Sequence, residues 1–170
     1  MSFGLTLFTL FHVAISLVGI LSGAMVTFGL LTARRFDGWT AIFLATTVAT
    51  SVTGFFFPVH HFMPSHGVGI VSLLVLPVAI FARYRGHLAG AWRWIFVVSA
   101  MLGLYLNVFV LVVQAFLKVP ALKAIAPTQT EAPFKLAQLV VLFGFVGITV
   151  AAVIRFHPAP RIAAPPFQAI

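Results

Sequence analysis

The chain has 170 residues, 62% of them hydrophobic and 7% charged, with ten Lys and Arg against two Asp and Glu for a net charge of +8. A soluble domain carries about 25% charged residues, so this composition excludes a water-soluble globule, a disordered chain and, with no Cys, a disulfide scaffold. The missing thiols also exclude iron–sulfur clusters and thiolate metal sites, and the basic excess fits the positive-inside bias of membrane loops better than nucleic-acid binding.

A membrane span needs about 20 mostly apolar residues. In chain order, five runs qualify: Phe3–Leu31, Trp39–Phe57, His66–Tyr84, Trp92–Leu117 and Phe134–Arg155. They are too long and unbroken for the alternating strands of a membrane barrel. The prediction is all-α: a polytopic membrane bundle of five transmembrane helices over residues 1–157, followed by a Pro-rich tail over 158–170. The first run lacks a basic leader and is about twice as long as a signal-peptide core, so it is expected to remain as a helix.

The loops predict the orientation. If the spans alternate, Arg34, Arg35, Arg83, Arg85, Arg93, Arg155 and Arg161 share one side, and Lys118, Lys123 and Lys135 take the other. Seven bases against three predict an outside N-terminus and a cytoplasmic C-terminus. Trp39, Trp92 and Trp94 then form one aromatic belt at the inner boundary.

Counting about 20 residues from each inner boundary brings His12, His60, His61, His66, Gln114 and Glu131 to one outer layer. The segment VHHFMPSHG adds Met63 between the histidines. Imidazole and thioether suit copper, and imidazole with carboxylate suits zinc or iron. Haem b needs axial imidazoles from facing elements, which His12 and His66 can supply with Gln114 in support. The candidate metal ligands are therefore His12, His60, His61, His66, Met63 and Glu131. The competing reading makes the loop histidines amphipathic residues wetted at helix ends. His12 differs because a polar ring within a span must face the bundle or a cavity. His87 and His157 fall on the cytoplasmic side, outside this layer.

The other intramembrane polar groups suggest packing. Asn107 reads as interhelical glue, Gln138 lies about one turn inside the outer boundary and needs a partner there, and the hydroxyls of Thr46, Thr47, Thr50, Ser51 and Thr53 can bond their own helix backbone. Gly19 and Gly23 form a small-xxx-small pair, a signal for close helix approach and for dimerisation. Between the last two spans, Val119–Ala126 is predicted as a short interfacial helix ended by Pro127. Thr130 is then the N-cap of the final helix, with Glu131 in its first turn. The acids are Asp37 and Glu131, both outside the spans, which argues against ion-coupled transport. No P-loop, dinucleotide fingerprint, HExxH or nucleophile elbow occurs.

The stretches RRFDGWTAIFLATT, SVTGFFFP and LNVFVLVVQAFLKVPALKAIAPTQTEAPF resemble a family of small bacterial inner-membrane proteins, over most of the chain up to about His157. The resemblance implies placement in a bacterial inner membrane and carries no ligand or catalytic residue. Three functions are expected in order. The first is a His-lined outer site for a metal or haem, passing electrons to a quinone or periplasmic partner if redox-active. The second is an accessory or assembly subunit that packs against a larger complex or another copy of itself. The third is a passive channel for a small solute.

Overall fold

The structure is a computed structural model and describes residues 3–57 and 64–157. Five helices are long and apolar enough to cross a membrane: α1 (Phe3–Leu31), α2 (Asp37–Thr53), α3 (Pro64–Tyr84), α4 (Ala91–Lys118) and α6 (Ala132–Arg155). Between α4 and α6 lies the six-residue helix α5 (Pro120–Ile125), inside the segment where the sequence predicts an interfacial helix. A 3-10 turn, Gly54–Phe56, follows α2 and accounts for the last residues of the second predicted span. Among the described residues all regular structure is helical.

The helices alternate in direction, and specific bonds fix the pairing of their ends. Asp37 at the start of α2 forms an ion pair with Arg83 at the end of α3. Asp in a first turn and Arg in a last turn each face the favourable end of their own helix dipole. The Arg83 guanidinium also lies 5.5 Å over the Phe96 ring. At the start of α4, Arg93 donates from one Nη to the carbonyls of Val153 (3.1 Å) and Phe156 (2.6 Å). These carbonyls belong to the end of α6, where the backbone has run out of intrahelical donors. One end of the bundle thus collects Arg34, Arg35, Arg83, Arg85, Arg93 and Arg155, and the other carries Lys118, Lys123 and Lys135. These are the arginine end and the histidine end below. Trp39, Trp92 and Trp94, all exposed, ring the arginine end.

Helix α1 stops at the arginine end by local chemistry. Ala33 turns left-handed at φ 56°, and the Arg34 amide reaches back to the Gly29 carbonyl at 2.8 Å. That is the 6→1 closure of a Schellman turn. The connection from α3 to α4 uses three further left-handed residues, His87, Leu88 and Gly90. His87 serves there as a turn residue.

The core lies toward the arginine end. Val26, Leu30, Phe43, Leu44, Leu76, Ala79, Phe96, Val97, Ala100, Met101 and Leu104 are buried there, with Ala152 as the single buried residue of α6. Gly19 and Gly23 face into this interior. A Cβ on Gly23 would stand 2.5 Å from Leu104 Cδ1 and 3.0 Å from the Phe43 ring, while one on Gly19 would meet Thr46 Oγ1 at 3.2 Å. The pair is therefore occupied within the chain, where the sequence also suggested a dimer face. The last helix begins differently from its prediction. Its N-cap is Glu131 rather than Thr130, with no side-chain capping bond, and Pro133 stands in the first turn.

Candidate functional site at the histidine end

Helix α1 carries His12 and Ser16 one turn apart and hence on one face. Helix α2 presents Thr50 and Thr53 opposite them. His12 Nδ1 lies 2.8 Å from Thr53 Oγ1, and Ser16 Oγ is 3.4 Å from Thr50 Oγ1. The Thr53 hydroxyl already donates to the Ala49 carbonyl at 2.7 Å. A hydroxyl has one proton, so toward His12 it accepts, and His12 Nδ1–H is the donor. This bond selects the tautomer. The neutral ring then keeps its lone pair on Nε2.

Aromatic groups hold the ring in place. Phe57 meets the His12 ring edge-on with centroids 5.0 Å apart, and Phe8 leans on Phe57 at 4.9 Å. The 3-10 turn passes beside the ring: a Cβ on Gly54 would lie 3.8 Å from His12 Cε1. Phe55, the next residue, stacks on His66 with centroids 5.6 Å apart and planes 18° from parallel. His12 and His66 thus contact the same turn, each backed by a different phenylalanine.

The structure joins some of the predicted residues and separates others. His60, His61 and Met63 lie outside the described residues. Gln114 is at the histidine end but exposed. Glu131 turns back on its own loop, where its carboxylate accepts from the Thr128 amide (3.1 Å), the Thr128 hydroxyl (2.8 Å) and the Thr130 amide (3.0 Å). Among the described residues no three His, Asp or Glu side chains converge as a metal site. The common depth predicted for His12, His66, Gln114 and Glu131 therefore does not bring them into one cluster, because depth leaves open which way each helix is turned.

The Glu131 clasp has a consequence for pH. Desolvation raises its carboxyl pKa, but the bonds from Thr128 and Thr130 outweigh that and hold it below the ordinary value. A depressed folded pKa supports the loop above the unfolded value and is lost as pH falls through the folded one. Amide exchange at Thr128 and Thr130 is expected to accelerate, relative to neighbouring amides, only once the pH falls below the ordinary glutamate range. In Glu131→Gln the extra acceleration should disappear, leaving a faster exchange already at neutral pH.

A polar seam continues from His12 between the helices. Asn107 Nδ2 donates to Thr47 Oγ1 at 3.2 Å, tying α4 to α2 as the glue reading expects. The hydroxyls of Thr46, Ser51 and Thr53 donate to carbonyls four residues back in their own helix, again as expected. Gln138 donates to the Phe109 carbonyl at 3.2 Å. What sequence reading missed is the His12–Thr53 pair, although Thr50 and Thr53 share a helix face just as His12 and Ser16 do.

A second concavity lies toward the arginine end, between α2 and α3. It has a volume of about 380 Å³, and Val48, Leu73, Pro77, Phe81, Tyr84 and Arg85 are among the residues lining it. Pro77 inside a span was the overlooked signal.

No known family model, curated protein or solved structure matches the chain.

Proposed function

We propose that the chain is a multi-pass protein of a bacterial inner membrane, N-terminus outside, and that His12 ligates a metal ion or haem b at its outer end. The observation carrying this reading is the His12–Thr53 hydrogen bond, 2.8 Å long. Ligating histidines are commonly held this way, with one ring nitrogen bonded to a fixed acceptor and the other presented to the metal. His66, on α3 and stacked on Phe55 of the same turn, together with His60, His61 and Met63 in the adjoining segment, supplies the remaining donors. That set favours a single copper, zinc or iron ion over haem. A porphyrin also needs a flat slot between its two axial imidazoles, whereas here a shared turn and two phenylalanines accompany His12 and His66. A redox-active metal would exchange electrons with a membrane quinone or a periplasmic partner.

Protein purified without a His tag is expected to carry metal in stoichiometric amount, or a Soret band if the ligand is haem. His12→Ala should remove it. Thr53→Val, which removes the acceptor while keeping the shape, should weaken affinity about 10–100-fold. Wild-type protein blank by metal analysis and by absorption would overturn the proposal.

A second reading is that the chain is an accessory subunit of a larger membrane complex, and the placement of α6 favours it. This helix buries only Ala152. Its exposed residues include Leu136 (63%), Val140 (65%), Phe143 (68%) and Ile154 (67%), and a Cβ on Gly144 or Gly147 would meet nothing within 4 Å. Flat apolar surface with small residues lets another helix approach closely. Stable co-purification with a large partner, lost on Gly144→Leu with Gly147→Leu, would favour this reading. The channel reading has less to rest on, because Phe43, Leu76, Met101 and Leu104 fill the centre of the bundle.

A further inference from the structure

We propose that the groove between α2 and α3 is a binding site for an anionic phospholipid of the inner leaflet, with the acyl chain along the groove and the phosphate at Arg85. The inference rests on the membrane reading but not on the histidine site. Three observations carry it.

The first is shape. The groove runs along α3 from Leu73 to Tyr84, a stretch of about 16 Å at 1.5 Å per residue. That matches the roughly 15 Å depth of one leaflet's hydrocarbon. Its volume of about 380 Å³ falls in the range of small-ligand sites. The second is composition. The wall is apolar from Val48 and Leu73 to Phe81, and its polar groups, Tyr84 and Arg85, stand together at the interfacial mouth. Pro77 has no amide to give the Leu73 carbonyl and loosens the helix at the inner end of the groove.

The third is charge. Of the neighbouring arginines, Arg83 is committed to Asp37, and Arg93 to the end of α6. Arg85 is exposed, and its guanidinium makes no side-chain hydrogen bond among the described residues. An anionic headgroup complements that unspent charge, and a zwitterionic one does so less well. Tyr84 adds a hydroxyl donor at the same level.

The three tryptophans provide the test. Trp92 packs against Phe81 with ring centroids 4.9 Å apart and planes tilted by 59°, so it reports on the groove, while Trp39 and Trp94 are exposed elsewhere on the belt. In a Trp39→Phe, Trp94→Phe background, the protein is placed in vesicles containing either brominated phosphatidylglycerol or brominated phosphatidylcholine at equal mole fraction. The phosphatidylglycerol is expected to occupy the site about fivefold more strongly, as judged by quenching of Trp92. Arg85→Gln should abolish the preference, whereas Arg34→Gln, at the same end, should keep it. Equal quenching by the two lipids, or a preference that survives Arg85→Gln, would overturn the proposal. Weak quenching by both would also overturn it, since a protein segment would then be filling the groove.

Discussion

Gly23→Ala is expected to destabilise the bundle by about 1–3 kcal/mol, the usual cost of overpacking a filled interior. The new methyl would stand 2.5 Å from Leu104 Cδ1 and 3.0 Å from two atoms of the Phe43 ring. Both neighbours sit in the packed core, Phe43 at 1% and Leu104 at 5% exposure, so relief requires the core to repack. The same Phe43 ring approaches Gly103 on α4, where a Cβ would lie 4.0 Å from its tip. Thermal unfolding in detergent measures the loss. If the clash with Leu104 dominates, adding Leu104→Ala to Gly23→Ala should cost less than the two single substitutions summed, a coupling that a double-mutant cycle isolates. Strict additivity would show that Gly23 does not meet Leu104. An unchanged melting temperature together with loss of a dimer would instead return the glycine pair to the surface.

Arg93→Met should release the arginine end of α6. The guanidinium supplies two charge-assisted bonds to the Val153 and Phe156 carbonyls, each of a kind worth about 1.5–3 kcal/mol. Phe156 is 1% exposed, so its carbonyl has little water to turn to. Apart from this clamp, the end is held by Ala152 and Phe156 in the core, with Val153 packed against them. The expected result is faster amide exchange over residues 152–156 and protease cleavage there, with the exchange of α1 and α2 much less affected. Arg93→Lys keeps a charged donor with several protons and should retain part of the protection. Arg155→Gln, removing an exposed arginine nearby, should have little effect. Uniform destabilisation of all helices by Arg93→Met would show that α6 docks as part of one cooperative unit and not through this clamp.

The helices and their ends were largely legible because each signal is local. Apolar runs of sufficient length announced α1, α2, α3, α4 and α6, and the alternating loops announced which bases would share an end. The boundary at Thr130 and Glu131 moved by one residue because both can stand at a cap, and Glu131 found three donors behind it in the loop. Gly19 and Gly23 illustrate the harder case. On a helix apolar nearly all round, the pattern does not show which face turns inward. The same ambiguity left Arg83, Arg85 and Arg93 alike, since a row of arginines near helix ends looks uniform until their partners are known.

By itself, then, the sequence determined an all-α chain with five helices long and apolar enough to span a membrane, it predicted the arginines at one end, and it marked His12 as a polar group at unusual depth. Length and apolarity suffice for that, since they are properties of each segment alone. The tertiary structure decided that His12 meets Thr53, 41 residues away, that Glu131 closes its own loop, and that Arg83 and Arg93 are occupied while Arg85 makes no side-chain hydrogen bond among the described residues. Those outcomes depend on helix rotation and on which ends are neighbours. Both are set by interhelical packing, with Phe43 and Leu104 seated against Gly23 at its centre.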